Sequence, residues 1–162
     1  MALVTELIDD RVIFAHDGPL FVCVWRGAPT AAHMRALGEI GRRVEGESGP
    51  LALLNVAVGG VPTFDDEVRK TATAYTRDPA RFARARAHVV AMTGFTGVAV
   101  LAFINTFLLL GRPPRPTKVL RSTDDAIRWI LPFLPPPWDS ERVHATFAAA
   151  RARLEERTAA PP

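Results

Sequence analysis

The chain has 162 residues, 48% of them hydrophobic and 23% charged, with a formal net charge of +3. That length can bury a core of its own, and the balance excludes a disordered or collagenous chain. Only Lys70 and Lys118 are lysines, and with heavy Ala, Gly and Pro usage the arginine excess reads as a coding bias toward G and C rather than as nucleic-acid binding. The first ten residues have no basic stretch ahead of an apolar one, so no signal peptide is expected. Cys23 is the single cysteine and sits in the apolar run 20–25, where it reads as a small buried hydrophobe. A cytoplasmic location is the expectation.

Residues 11–16 and 20–26 are two β-rich runs around Asp17-Gly18-Pro19, a hairpin signal. Thr30 is placed to cap a helix whose apolar stripe is Met34, Leu37, Ile40 and Val44. Residues 51–58 form a near-continuous apolar run of a length that suits a strand covered on both faces, with Asn55 its one polar member. Thr63-x-x-Asp66 resembles a capping box, and Asp65, Asp66 and Glu67 suit the positive end of a helix dipole. A strand is expected over 88–92, a helix over 95–110 and a short strand over 117–121. Ser122-x-x-Asp125 opens a further helix that ends near Leu134. Pro135-Pro136-Pro137 is a stiff spacer before a last helix with the stripe Val143, Phe147, Ala150 and Leu154.

The expected fold is α/β. A mixed, mostly parallel sheet carries covering helices over residues 1–134, and 135–162 add the spacer and an extra amphipathic helix. The opening hairpin, the buried strand 51–58 running into a helix N-terminus, and the unit Lys118-Val119-Leu120-Arg121-Ser122-Thr123-Asp124-Asp125-Ala126-Ile127-Arg128-Trp129-Ile130 together resemble the STAS superfamily (sulfate-transporter and anti-sigma-factor-antagonist domains), in particular its stand-alone bacterial members. The resemblance implies a non-catalytic regulatory module that works through protein–protein contacts and forms a homodimer. Where classical members carry a phosphoacceptor, this chain reads Val58-Gly59-Gly60-Val61-Pro62-Thr63-Phe64. Thr63 is the only hydroxyl there and the candidate phosphoacceptor; helix capping is its structural role.

No catalytic constellation stands out. The four histidines, His16, His33, His88 and His144, are not grouped with cysteines or carboxylates at metal-ligand spacing, so no metal and no cofactor are expected. His88 opens a strand from which it could reach a cleft. Gly59-Gly60 precedes a helix and could offer backbone N–H groups to an anion, but no lysine or third glycine accompanies it. The arginines at 77, 81, 84 and 86, and those at 112, 115 and 121 with Lys118, read as solvated faces; only Phe82 interleaves them, so no nucleic-acid partner is expected.

The segment 95–110 is apolar nearly all round. It is shorter than the roughly 20 residues of a membrane span and is interrupted by Thr96, Gly97, Asn105 and Thr106, so no transmembrane span is expected. Something must nevertheless cover its outer side. Val98, Leu101, Phe103, Phe107 and Leu110 are the candidates for a homodimer interface or an apolar-ligand surface. The covers considered are the C-terminal helix, a second copy of the chain, or an apolar ligand or lipid. The leading expectation is the homodimeric binding module. The alternative is a carrier or sensor of a small apolar ligand held under this helix, and an enzyme comes third.

Overall fold

A computed structural model describes residues 2–60, 65–78 and 82–159. Its elements run β1 (Val4–Ile8), β2 (Val12–Asp17), β3 (Leu20–Trp25), α1 (Ala31–Ser48), β4 (Ala52–Ala57), α2 (Asp66–Arg77), β5 (Ala85–Val90), α3 (Gly94–Gly111), β6 (Thr117–Leu120), α4 (Thr123–Ile130) and α5 (Ser140–Ala159). The six strands lie side by side in chain order. β1, β2 and β3 are antiparallel, and β3 to β6 are parallel. This is an α/β fold with a mostly parallel sheet and a C-terminal helix, as the element pattern predicts.

Because β3 to β6 advance in one direction, right-handed crossovers bring α1, α2 and α3 to the same face. α1 packs on α2, and α2 on α3. α4 and α5 cover the other face, α5 over β2 and β3 and α4 over β4 and β5. Side chains alternate across the pleat. Ile13, Val22, Leu54 and Val89 point toward α4 and α5, whereas Phe14, Phe21, Cys23 and Leu53 point toward α1.

Local sequence sets most of the boundaries. The Thr30 hydroxyl accepts the His33 N–H, and His33 Nδ1 accepts the Thr30 N–H, which closes a capping box at the start of α1. Ser122 caps α4 by accepting the Asp125 N–H. Two starts differ from the sequence reading. α2 is capped by Asp65, which accepts the Glu67 N–H at 2.8 Å; Thr63, expected as the cap and the candidate phosphoacceptor, lies outside the described residues. β5 begins at Ala85, three residues ahead of the expected His88.

β1 is a strand that the sequence pattern does not announce. Its pairing with β2 shifts register between Thr5 and Leu7, and a bulge of this kind breaks the period-two alternation by which strands are read.

α5 is not an appendage. Val143, Ala150 and Leu154 are fully buried in one cluster with Ile13, Leu20 and Ile127. At the hairpin turn the buried Asp17 carboxylate accepts from Arg142 Nε at 3.3 Å and Nη2 at 3.2 Å, and that guanidinium lies 4.0 Å over the Trp138 ring. On the opposite face Gly41 lets α1 descend onto Phe82: a Cβ at position 41 would lie 2.1 Å from the Phe82 ring.

Candidate functional site

The face beneath α1, α2 and α3 carries an unusual run of polar side chains. Asn55 on β4 and His88 on β5 are cross-strand partners, and Arg86 lies two residues before His88 on the same side of the sheet. Trp25 Nε1 donates to Asn55 Oδ1 at 2.6 Å, and the Asn55 amide lies 2.8 Å from His88 Nδ1. An indole N–H can only donate, so Asn55 Oδ1 must accept. Its NH₂ then faces His88, Nδ1 is the acceptor, and the neutral imidazole carries its proton on Nε2. The His88 ring also meets Phe107 of α3 edge-on, with centroids 6.2 Å apart.

Arg86 is 1% exposed. None of its three nitrogens has an acceptor at hydrogen-bond geometry among the described residues. Its guanidinium sits 5.9 Å from the centre of the Phe82 ring. Burial pushes its pKa down and Arg115 adds to this, while the Tyr75 hydroxyl and the Glu45 carboxylate support its charge. The arginine clusters are therefore not uniformly solvated as the sequence reading has it: Arg86 belongs to the interior, because a strand covered on both faces has no solvent side to offer.

These groups border a cavity of about 80 Å³ between the sheet and the three helices. Met34 and Leu37 of α1, Ala72, Tyr75 and Thr76 of α2, and Val100, Phe103, Ile104 and Phe107 of α3 form its roof. Gly27, Pro29, Gly59 and Gly60 lie at one end, where β3 and β4 run out of the sheet. Gly60 has φ +88°, and a Cβ there would come within 2.6 Å of the Gly27 carbonyl carbon, so the two turns meet at a distance that suits glycine alone. The Gly59 N–H already donates to the Trp25 carbonyl at 3.3 Å. Close packing of the two turns thus accounts for Gly59-Gly60.

α3 has two sides. Gly97, Val100, Ile104, Phe107 and Gly111 are buried against the fold. Phe95 (89% exposed), Val98 (55%), Leu109 (77%) and Leu110 (46%) face outward. The helix has a mean hydropathy of 1.9 and is long and apolar enough to cross a membrane, with 33% of it buried in the fold. Among the sequence candidates, Val98 and Leu110 lie on the outer side, Leu101 and Phe103 are half-buried, and Phe107 is buried. Phe103 and Phe107 pack edge-to-face at 5.6 Å and both line the cavity. Of the covers considered for α3, the C-terminal helix lies on the opposite face of the sheet.

The other candidates have structural surroundings. His33 Nε2 donates to Asp9 Oδ2 at 2.8 Å, which ties the β1–β2 turn to α1. Burial raises the Asp9 pKa, but hydrogen bonds from the Arg11 N–H, His33 and the Val12 N–H outweigh it and leave the carboxyl below its ordinary value. His16 Nε2 lies 3.2 Å from Glu6, and His144 Nε2 lies 3.5 Å from Asp124. These carboxylate partners come from separate elements, so sequence spacing does not reveal them. Cys23 is buried, and burial pushes its thiol pKa up, which disfavours the reactive thiolate. Among the described residues no group of three or more His, Cys, Asp or Glu is placed to hold a metal ion. No family model matches the chain, and neither the curated proteins nor the solved structures provide a match.

Proposed function

We propose that this chain is a non-catalytic binding module, a carrier or sensor that holds a small molecule between the sheet and the α1–α3 layer. The observation that carries this reading is the cavity beneath α3. Protein interiors are close-packed, with few voids larger than a water molecule. A mostly apolar hollow with a few convergent polar groups is the usual form of a small-molecule site. In this reading α3 is a core helix seated by its buried side, and the protein uses no metal, cofactor, nucleic acid or membrane span.

The test uses small probes. Isothermal titration with 1-butanol and with butanoate should show saturable binding of at least one of them to the unmodified protein. Ile104→Trp, which fills the cavity from α3, should abolish it. Absence of binding by both probes, or undiminished binding in Ile104→Trp, overturns the reading.

The outward side of α3 favours a second reading, the homodimeric regulatory module that the STAS resemblance implies. An apolar stripe on one helix can serve both partners of a two-fold dimer. Light scattering should then give a dimer, and Val98→Glu or Leu109→Glu should give a monomer. The positions to test are these outer ones, since Phe103 and Phe107 face the cavity. A monomeric unmodified protein at high concentration rules this reading out.

A further inference from the structure

We propose that the cavity selects a short-chain carboxylate and that Arg86 is the residue that receives its head group. The inference rests on the binding reading above and names the class of ligand. Its starting point is a buried charge with no carboxylate hydrogen-bonded to it among the described residues. A guanidinium stays protonated in a protein, and a buried ionised group is strongly disfavoured unless it is paired. Arg86 is 1% exposed, its Nε, Nη1 and Nη2 meet no acceptor at full hydrogen-bond geometry among the described residues, and the hydrogen-bond support that the Tyr75 hydroxyl gives it is neutral.

Among the described residues no acid is hydrogen-bonded to Arg86. The cavity lining contains no Asp or Glu. None of the residues outside the description (1, 61–64, 79–81 and 160–162) has an acidic side chain. Glu45 supports the charge through space without hydrogen-bonding it, its Oε1 accepting instead from the backbone N–H groups of Ala83 at 3.0 Å and Leu51 at 3.4 Å. Arg115 adds a second positive charge to the neighbourhood. A ligand anion would supply what the fold leaves out.

The form of the site narrows the anion. The planar fork of a guanidinium matches a carboxylate through two parallel N–H···O bonds. The wall opposite the sheet, Val100, Ile104 and Phe107 of α3, is apolar, as is Leu53 of β4 beside Arg86, and these suit an alkyl tail rather than the further oxygens of a phosphate or sulfate. A volume of about 80 Å³, against the roughly 30 Å³ that a water takes in the liquid, restricts the ligand to a small acid with a short chain.

The experiment compares butanoate with 1-butanol by isothermal titration at neutral pH, on the unmodified protein, Arg86→Met and Ile104→Trp. A charge-assisted pair exceeds a neutral hydrogen bond in strength, so butanoate should bind the unmodified protein at least about tenfold more tightly than 1-butanol. Arg86→Met keeps the length of the side chain and removes the charge, and it should bring the two probes to similar affinity. If Arg86→Met does not fold, Arg86→Lys keeps the charge without the fork, and its preference for butanoate should fall below that of the unmodified protein. Equal binding of both probes by the unmodified protein, lost in Ile104→Trp, overturns the carboxylate assignment and leaves the binding reading standing. Binding of neither probe overturns both.

Discussion

Truncation after Pro137 is expected to leave a protein that does not fold to a soluble monomer. The helix removed supplies Val143, Ala150 and Leu154, all fully buried, and the half-buried Phe147. Each large apolar side chain among them contributes about 1.5–3 kcal/mol by leaving water, and the net stability of a domain is only about 5–15 kcal/mol. The truncation also uncovers Ile13, Leu20 and Val22 on the sheet, and it strips Asp17, 4% exposed, of the guanidinium that pairs with it. The full-length variant Leu154→Asp should act in the same direction, since it places a charge inside that cluster. Soluble yield and near-ultraviolet circular dichroism read the outcome. A truncated protein that stays soluble and melts like the full chain would mean that α5 is dispensable to the core.

Gly41→Ala should destabilise the protein by about 2 kcal/mol, although helix propensity alone favours the change by about 1 kcal/mol. The added Cβ would stand 2.1 Å from the Phe82 ring. Phe82 cannot retreat: it is fully buried, with Phe21 at 5.2 Å and Tyr75 at 6.3 Å between ring centroids. Phe82→Ala should itself cost about 3–5 kcal/mol. In that background the clash is gone, and Gly41→Ala should now stabilise by up to about 1 kcal/mol. The reversal of sign across the double-mutant cycle is the diagnostic, measured by chemical denaturation. If Gly41→Ala has the same effect in both backgrounds, the helix is not held down on this ring.

The helices with local start signals are legible in the sequence. Thr30 and Ser122 cap where their side chains predict, and the Val143, Ala150, Leu154 stripe faces the core. β1 escapes because its bulge removes the alternation. α3 escapes in a different way. Its buried set, Val100, Ile104 and Phe107, and its exposed set, Phe95, Val98 and Leu109, are equally apolar, so periodicity gives no direction and two inward phenylalanines read as outward contacts. The candidate site was hidden by the path of the chain. Arg86 and His88 alternate with Ala85, Ala87 and Val89, and in a single window that pattern denotes a strand with one wet face. Only the gathering of α1, α2 and α3 on one face turns those polar positions inward. The pairing of Asn55 with Trp25 and His88 likewise joins three strands that no local spacing links.

The one-way order of the strands bears on how the chain is made. Each strand from β2 to β6 pairs with one synthesised just before it, so the sheet can be laid down progressively as the polypeptide leaves the ribosome, each parallel pair closing over the helical crossover that separates its strands. The three-helix layer is completed in the same sequence. The β2–β3 face is different, because its cover is α5, which follows every strand in the chain. A nascent chain therefore displays Ile13, Ala15, Val22 and Val24 uncovered until residues 140–159 have emerged. It is in this interval that a holding chaperone would find its target and that pauses in translation near the Pro135-Pro136-Pro137 run would prolong the exposure.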